Sequence, residues 1–157
     1  MLAKPKLKIS LARLEDVDLL VNHRLRMFEE LHPELKTQIR MSKARTTEWV
    51  TRKLKEGKFI GFIVHTEEGL MAGSGCLWLR EQQPRIVTPL LDAPYLMSMF
   101  TERSFRRRGV ARLIIKCAIA WCRGHGYGGI DLHASVSGEQ IYNDFGFEPT
   151  NEMRLKL

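Results

Sequence analysis

Basic residues and a glycine stand where the sequence changes from an apolar segment to a helical pattern. Three arginines at positions 106–108 precede Gly109, and Ala111 follows two residues later. From Val110 onward, apolar residues recur at spacings of three and four, which is typical of one face of a helix. The first turn of a helix has backbone N–H groups without internal partners, and the helix dipole attracts negative charge there. These residues therefore predict the binding of a phosphate group.

The spacing within this cluster distinguishes it from two common phosphate-binding loops. Arg106, Gly109 and Ala111 give R-x-x-G-x-A, which is neither the G-x-x-x-x-G-K-[ST] loop of nucleotide hydrolases nor the dinucleotide pattern G-x-G-x-x-G. A run of arginines at the start of a helix also occurs on many protein surfaces as solvated charge. The motif alone leaves both interpretations open.

A second motif lies downstream, where residues 141–147 read Ile-Tyr-Asn-Asp-Phe-Gly-Phe. Taken by itself, Tyr142 is a half-buried helix residue that packs against a sheet with its hydroxyl group at the rim. Such a residue needs no chemical role, so this motif too indicates a site only in combination with the first.

Together the two motifs resemble those of the GNAT superfamily of N-acetyltransferases. The first is similar to the superfamily's pyrophosphate loop, Q/R-x-x-G-x-G/A, which follows a strand and opens a helix. The second is similar to its L-Y-x-x-x-G-F pattern, and the distance between them fits one intervening helix and strand. The resemblance covers the chain from about residue 7 to the C-terminus, and it is motif-specific only in the second half.

This resemblance implies that acetyl-CoA is the cosubstrate, that no metal is needed, and that the cofactor lies between strands at residues 96–101 and 129–134. The pyrophosphate would contact the loop amides, the pantetheine arm would pair with the end of the first strand, and an N–H near Met99 would polarise the thioester carbonyl. The expected cofactor-binding residues are Met99, Phe100, Thr101, Arg106, Arg107, Arg108, Gly109, Val110, Ala111 and Ser135. The resemblance also makes Tyr142 the expected general acid, since the matching tyrosine of the family often protonates the departing thiolate. A phenol with a pKa of about 10 can do this because it stays protonated at neutral pH.

The general base is left unassigned. Many members of the superfamily use a glutamate or a held water near the strand that precedes the loop, but residues 95–101 contain no carboxylate. Water alone is a further alternative. The candidate side chains are Glu29, Glu30, Glu102, His133 and Asp92.

The elements that must position these motifs alternate between strands and helices. Strands are predicted at residues 7–11, 59–64, 70–79, 95–101 and 128–134, with a last one over Met153, Leu155 and Leu157. Helices are predicted from Leu14 to a break at Pro33, at residues 46–55, from Val110 to residue 123, and at residues 139–145, with loop or frayed helix at 34–41. The order β-α-α-β-β-β-α-β-α-β is a mixed α/β architecture. The resemblance adds a mostly antiparallel central sheet with helices on both faces.

Gly73 and Gly75 interrupt one of these predicted strands. Glycine within a strand usually marks a bulge or the close approach of another backbone. We expect one of these features beside the strand that leads to the arginines.

Length and composition are consistent with this interpretation. The 157 residues predict a single domain, residues 1–157, and the ordinary hydrophobic fraction of 44% excludes a disordered or fibrous class. Neither a membrane-length apolar run nor a signal peptide is recognisable, so a cytoplasmic protein is expected. Cys76, Cys117 and Cys122 lack C-x-x-C spacing and are expected to be reduced and buried.

The favoured function is the transfer of an acetyl group from acetyl-CoA to a primary amine of a small molecule or peptide, and a homodimer is possible. Two alternatives stay open: a GNAT-like module that binds acyl-CoA without turnover, and a nucleic-acid-binding protein that uses the arginines within residues 103–112. The net charge of +7 is compatible with either kind of anion, but its concentration in one cluster favours a local phosphate site. Neither nucleic acid nor a membrane is therefore expected as a partner.

Overall fold

The structure is a computed structural model that describes residues 6–157; residues 1–5 of the expected domain lie outside the described part. Its strands are β1 (Leu7–Leu11), β2 (Phe59–Thr66), β3 (Met71–Glu81), β4 (Asp92–Thr101) and β5 (Asp131–Leu132). Its helices are α1 (Val17–Leu31), α2 (Lys36–Met41), α3 (Lys43–Lys55), α4 (Val110–Gly124) and α5 (Glu139–Asp144). Short 3-10 turns at Leu14–Asp16, Pro33–Leu35 and Arg103–Phe105 precede α1, α2 and the arginine loop.

The strands form one five-stranded sheet in the order β1-β2-β3-β4-β5. The first three pairings are antiparallel, and β4 pairs with β5 in parallel. Antiparallel neighbours can be joined by short turns, whereas the parallel pair needs a crossover, which α4 provides. The predicted mixed α/β fold with a mostly antiparallel sheet is confirmed.

Helices cover both faces of the sheet. On one face, α1 and α3 bury Val21 and Val50 against Phe59 and Ile63 of β2. On the other, α4 packs on Phe62 and its neighbours, with Ile114, Ile115 and Ala118 fully buried. Because side chains alternate along a strand, β2 supplies both cores and is apolar throughout much of its length.

The two strand glycines allow β3 to approach its neighbours closely. A Cβ at Gly73 would collide with the carbonyl oxygen of Phe100 and lie 2.8 Å from Cγ1 of Val110. A Cβ at Gly75 would lie 2.5 Å from Sδ of Met99. The β3–β4 register shifts at this point, and Ser98 adopts a φ of 55°. The expected bulge and close approach are both present, next to the arginine loop.

Several boundaries differ from the sequence predictions. Residues 36–41 form α2, although loop or frayed helix was expected there, and α3 begins at Lys43, three residues before its predicted start. The strand predicted at residues 128–134 is reduced to Asp131–Leu132, because only these two residues pair with β4. The break before Pro33 is confirmed, since α1 ends at Leu31.

The last predicted strand is wrong. Residues 145–157 contain no helix or strand, and Met153, Leu155 and Leu157 are 95%, 82% and 116% exposed. Alternating apolar residues form a strand only when a neighbouring strand edge is available for pairing. Within residues 6–157 no strand pairs with this segment.

Two other findings bear on the chain as a whole. Among the helices of residues 6–157, none is both long and apolar enough to span a bilayer. The three cysteines are free thiols; Cys76 and Cys122 are buried, whereas Cys117 is half-buried. Burial raises the pKa of Cys76 to about 12 and that of Cys122 to about 11, so both are packing residues rather than nucleophiles at neutral pH.

Candidate active site

An opening in the sheet separates the ends of β4 and β5. The two strands pair only through Tyr95 with Asp131 and Leu96 with Leu132. Beyond that point, residues 97–101 of β4 have no strand partner on this side within the described part of the chain. The bulge next to Met99 lies at the start of the unpaired stretch. This edge of β4 is therefore free to bond to an extended ligand.

The direction of the backbone groups follows from the neighbouring ladder. Glu102 donates its N–H to the carbonyl oxygen of Ala72 on β3, at 2.9 Å. Because N–H groups alternate along a strand, the N–H of Thr101 faces the opening instead. The predicted residues Met99, Phe100 and Thr101 thus lie along it, with the Phe100 side chain buried in the core.

The arginine loop follows the unpaired end of β4. Helix α4 begins at Val110, and Gly109 before it has a φ of 89°, which the missing Cβ permits. Arg107 also has a positive φ, of 58°. Between residues 6 and 157, no hydrogen bond uses the backbone N–H groups of residues 107–111. The loop and the first turn of α4 thus present consecutive free donors, including the predicted Arg108 and Ala111.

The three loop arginines differ in their contacts. Arg106 donates from Nε to the Thr101 carbonyl oxygen at 3.2 Å, and its Nη2 lies 2.6 and 2.9 Å from the carboxylate oxygens of Glu30. The guanidinium of Arg108 lies 5.9 Å from the centre of the Phe105 ring. In the described chain, neither Arg107 nor Arg108 forms an ion pair, so their charges are free to meet an anion.

Ser135 and Tyr142 meet at Gly138, on the α5 side of the opening. A Cβ at Gly138 would lie 3.1 Å from Oγ of Ser135 and 3.5 Å from Cε2 of Tyr142. The Ser135 carbonyl oxygen accepts a hydrogen bond from the Gly138 N–H at 2.9 Å, and this turn starts α5. The structure therefore brings these two predicted residues together across one glycine.

The Tyr142 ring is half-buried and its edge packs against Phe147, with the ring centres 5.7 Å apart. Burial raises the pKa of its phenol above the ordinary value of 10. Its hydroxyl group makes no hydrogen bond to any residue between 6 and 157. The hydroxyl oxygen is not fully buried. The phenol is thus protonated at neutral pH and accessible. Tyr142 lines a cavity of about 600 Å³ together with Tyr95, Leu132, Ala134 and Glu139.

The candidate bases are all engaged in polar pairs. Glu29 accepts from Arg40 at 2.9 Å, Glu30 from Arg106, Glu102 from Arg26, Asp92 from Lys58, and His133 contacts Tyr95 and Arg154. Hydrogen bonds from Arg26 lower the pKa of Glu102. Burial alone would raise the pKa of Asp92, but the hydrogen bonds from Lys58 and Tyr127 outweigh it and lower the value. Neither carboxylate is poised to accept a proton at neutral pH.

Sequence reasoning missed His23, a polar residue that is 1% exposed and faces the β4 end of the site. Its Nδ1 lies 2.8 Å from Oγ of Ser74. The only signal in the sequence is its position, three residues after Leu20 on the buried stripe of α1. A second cavity of about 700 Å³ lies nearby and is lined by Arg26, Glu29, Glu30, Pro33, Lys36 and Arg103.

The chain matches a known protein family. The sequence model described as the acetyltransferase (GNAT) domain matches residues 42–156. The chain belongs to the GNAT acetyltransferase family. The resemblance drawn from the two motifs is thus confirmed for this GNAT protein, whereas a search of curated proteins found no significant match.

Solved structures agree with this GNAT fold. A GCN5-related N-acetyltransferase from Ralstonia eutropha JMP134 is 24% identical with a TM-score of 0.86, over 97% of this chain and 99% of that one. A predicted acetyltransferase from Clostridium acetobutylicum, solved with acetyl-CoA, is 21% identical with a TM-score of 0.82, over 97% and 96%. AAC(6')-Iy in complex with the bisubstrate analogue CoA-S-monomethyl-acetylneamine is 18% identical with a TM-score of 0.69, over 97% of each chain.

No group of three or more histidine, cysteine, aspartate or glutamate side chains in residues 6–157 is arranged to hold a metal ion. The free backbone N–H groups of residues 107–111 and the side chains of Arg107 and Arg108 are donors suited to an anionic ligand.

Proposed function

We propose that this GNAT protein transfers an acetyl group from acetyl-CoA directly to a primary amine. The observation that carries the proposal is the continuity of the free β4 edge with the free amides of residues 107–111. An elongated ligand with a pyrophosphate at one end and amide groups along its arm matches these two surfaces. Structural relatives that were solved with acetyl-CoA or a CoA analogue support this choice.

In this proposal the loop binds the pyrophosphate. The N–H groups of Gly109, Val110 and Ala111 donate to phosphate oxygens, and the dipole of α4 adds partial positive charge. Arg107 and Arg108 supply full charges, while Arg106 is shared with Glu30. A side chain at Gly109 would be strained by its φ of 89°.

The end of β4 aligns the arm of the cofactor. Thr101 offers its N–H to an amide carbonyl of the pantetheine, beside Phe100, and Ser135 contacts the same arm from the α5 side. The backbone N–H next to the bulge at Met99 stabilises negative charge that develops on the thioester oxygen, an effect often worth about 3 kcal/mol. The amine attacks the carbonyl carbon of the thioester directly, so no covalent enzyme intermediate is required.

Tyr142 acts as the general acid. As the carbon–sulfur bond breaks, its hydroxyl donates a proton to the leaving thiolate sulfur. The attacking amine loses one proton to water, and solvent returns a proton to the Tyr142 phenolate. The raised pKa and the accessible hydroxyl of Tyr142 support this role. No residue is proposed as the base, because each candidate is held in an ion pair or hydrogen bond.

One observation favours a second candidate function. The engagement of Glu29, Glu30 and Glu102 with arginines leaves the site without a poised base, as expected for a module that binds acyl-CoA without turnover. Nucleic-acid binding is disfavoured, since the cluster is partly neutralised: Arg103 and Arg106 pair with Glu30, and Arg112 pairs with Asp144.

Two measurements on the purified chain separate these functions. Isothermal titration with CoA tests binding, and the release of free thiol from acetyl-CoA in the presence of a panel of amines tests transfer. We expect a 1:1 complex and amine-dependent release. Binding without release for any amine supports the non-catalytic module, and an absence of CoA binding contradicts both. Retardation of nucleic acid at physiological salt, without CoA binding, would favour the third alternative.

We further propose that residues 1–157 form one domain, because the solved structures above cover 97% of the chain with nearly their whole length. A cytoplasmic location, a small-molecule or peptide acceptor and a homodimer remain predictions from the sequence. For AAC(6')-Iy, the bisubstrate analogue carries an acetylneamine group, which supports an amine acceptor here.

A further inference from the structure

A chain of polar contacts joins α1 to the point where β4 becomes the arginine loop. His23 on α1 contacts Ser74 on β3 through Nδ1 at 2.8 Å, and its Nε2 lies 3.4 Å from Oε1 of Glu102. Arg26, one turn further along α1, donates from both terminal nitrogens to the Glu102 carboxylate, at 2.6 and 2.8 Å. The carboxylate is thus fixed from two sides.

Glu102 itself connects the sheet with the loop. Its N–H donates to Ala72 on β3 at 2.9 Å, and its carbonyl oxygen accepts the N–H of Phe105 at 2.8 Å, which closes the 3-10 turn. The position of Glu102 therefore determines where the turn starts and how the following residues approach α4.

The same two α1 residues also hold the ring of Phe100. The rings of His23 and Phe100 have centres 4.7 Å apart, and the guanidinium of Arg26 lies 4.7 Å from the Phe100 centre. Phe100 and Glu102 flank Thr101, whose N–H faces the opening. The residues on both sides of Thr101 are thus held by contacts with α1.

A purely stabilising role explains this arrangement poorly. The Arg26 side chain is 40% exposed, so water weakens the contribution of this ion pair to the free energy of unfolding relative to a buried pair. Burying His23 requires a partner for each ring nitrogen, which apolar residues would not require. The contacts of His23 and Arg26 restrict the position of the Glu102 carboxylate more than they raise the free energy of unfolding.

We propose that His23 and Arg26 are positioning residues for the cofactor loop, acting through Glu102. They fix the end of β4 and the 3-10 turn so that the N–H groups of Thr101 and residues 107–111 converge on one ligand. This inference rests on the proposed function, in which those N–H groups bind CoA.

The test compares CoA binding by Arg26→Gln, Glu102→Gln and His23→Gln with binding by a matched control, Arg40→Gln. Arg40 likewise pairs with a glutamate, Glu29 of α1, and within residues 6–157 none of its hydrogen bonds or ion pairs reaches the loop. We expect the three variants to bind CoA about ten-fold more weakly, since small misplacements of binding groups are costly. Arg40→Gln should bind like wild type. The double variant Arg26→Gln/Glu102→Gln should lose no more CoA affinity than whichever single variant binds CoA less tightly, because both changes remove the same contact.

Hydrogen exchange of the CoA-free proteins provides a readout that does not depend on affinity. The hydrogen-bonded amides of Glu102, Phe105 and Arg106 should exchange faster in Arg26→Gln and Glu102→Gln than in wild type or Arg40→Gln. Should Arg26→Gln not fold, Arg26→Lys and Glu102→Gln carry the same comparison. CoA affinities within two-fold of wild type, with unchanged exchange in the loop, would overturn the inference. Failure of wild type to bind CoA would instead remove the proposed function on which the inference depends.

Discussion

Nη2 of Arg106 lies within 3 Å of both carboxylate oxygens of Glu30, so the first arginine of the loop is tied to α1. Arg107 and Arg108 are not tied in this way to any residue between 6 and 157. Three adjacent arginines that look equivalent in the sequence therefore carry unequal amounts of available charge.

This inequality predicts the ranking of single arginine variants. Arg107→Gln and Arg108→Gln should each weaken CoA binding about two-fold to five-fold, the range of a solvent-accessible ion pair. Arg106→Gln should have a smaller effect, because Glu30 already neutralises much of its charge. Titrations with CoA at low and high salt would measure both the ranking and its screening. A larger loss for Arg106→Gln than for the other two would contradict the prediction.

Close packing at Gly73 predicts a large effect of one added methyl group. Gly73→Ala should lower the free energy of unfolding by about 1–3 kcal/mol, because the new Cβ meets the Phe100 carbonyl and the Val110 side chain. Gly124→Ala at the end of α4 is the control, since nothing lies within 4 Å of its Cβ position. Urea unfolding of both variants provides the comparison. Equal stabilities of the two variants would argue against the tight approach.

The general-acid role of Tyr142 predicts a separation of kcat from CoA affinity. Tyr142→Phe should lower kcat by about 100-fold and leave the Kd for CoA unchanged. Since burial raises the pKa of Tyr142 above 10, wild-type kcat should show no decline caused by this phenol below pH 10. Tyr127→Phe, which loses a hydrogen bond to Asp92 outside the opening, should keep kcat within two-fold. Unchanged transfer by Tyr142→Phe would rule out the assignment.

The burial of His23 predicts a component in the pH dependence of stability. Burial lowers the pKa of His23 below its ordinary 6.5, although the Glu102 carboxylate acts in the opposite direction. Between that lowered pKa and pH 6.5 the unfolded chain binds more protons than the folded chain, so the free energy of unfolding falls as the pH drops below 6.5. In His23→Gln this decline should be shallower, and in His32→Gln, an exposed control, it should persist. Urea unfolding across this pH range measures the slope, and equal slopes in wild type and His23→Gln would refute the prediction.

The three thiols should differ in reactivity. Cys76 and Cys122 are buried with raised pKa values, and Cys117 is half-buried. A disulfide reagent at neutral pH should therefore modify at most one thiol in the folded chain and three after unfolding. Mass spectrometry of the modified protein would identify Cys117; rapid modification of Cys76 would contradict its burial.

The features that the sequence predicted correctly depend on short segments. The R-x-x-G-x-A loop is set by a glycine with positive φ at a helix start, and the turn before α5 by the hydrogen bond from the Gly138 N–H to the Ser135 carbonyl oxygen. Each requires only residues that are close along the chain. These local patterns were sufficient to indicate the family and the arrangement of most of the sheet.

The features that could not be predicted depend on pairs of distant residues. The contacts of Arg26 and His23 with Glu102 join α1 to β4 across more than 70 residues, and no periodicity specifies them. Likewise, the alternation of Met153, Leu155 and Leu157 indicates a strand, but pairing requires an available edge that the sequence does not reveal. The pairing of every candidate base is also a tertiary property.

The two-residue attachment of β5 has a consequence for the order in which the chain unfolds. From Asp131 onward, two paired residues hold the backbone to the rest of the sheet. Helix α5 is held by the packing of Ile141, Tyr142 and Phe145 and by the ion pair of Asp144 with Arg112. Segments with so few backbone bonds to the core unfold locally before the main ladder of β2, β3 and β4 does. Limited proteolysis should therefore begin in residues 131–157. Tyr142 thus lies on a helix that is attached through side chains, and a ligand that bridges β4 and α5 would protect this segment first.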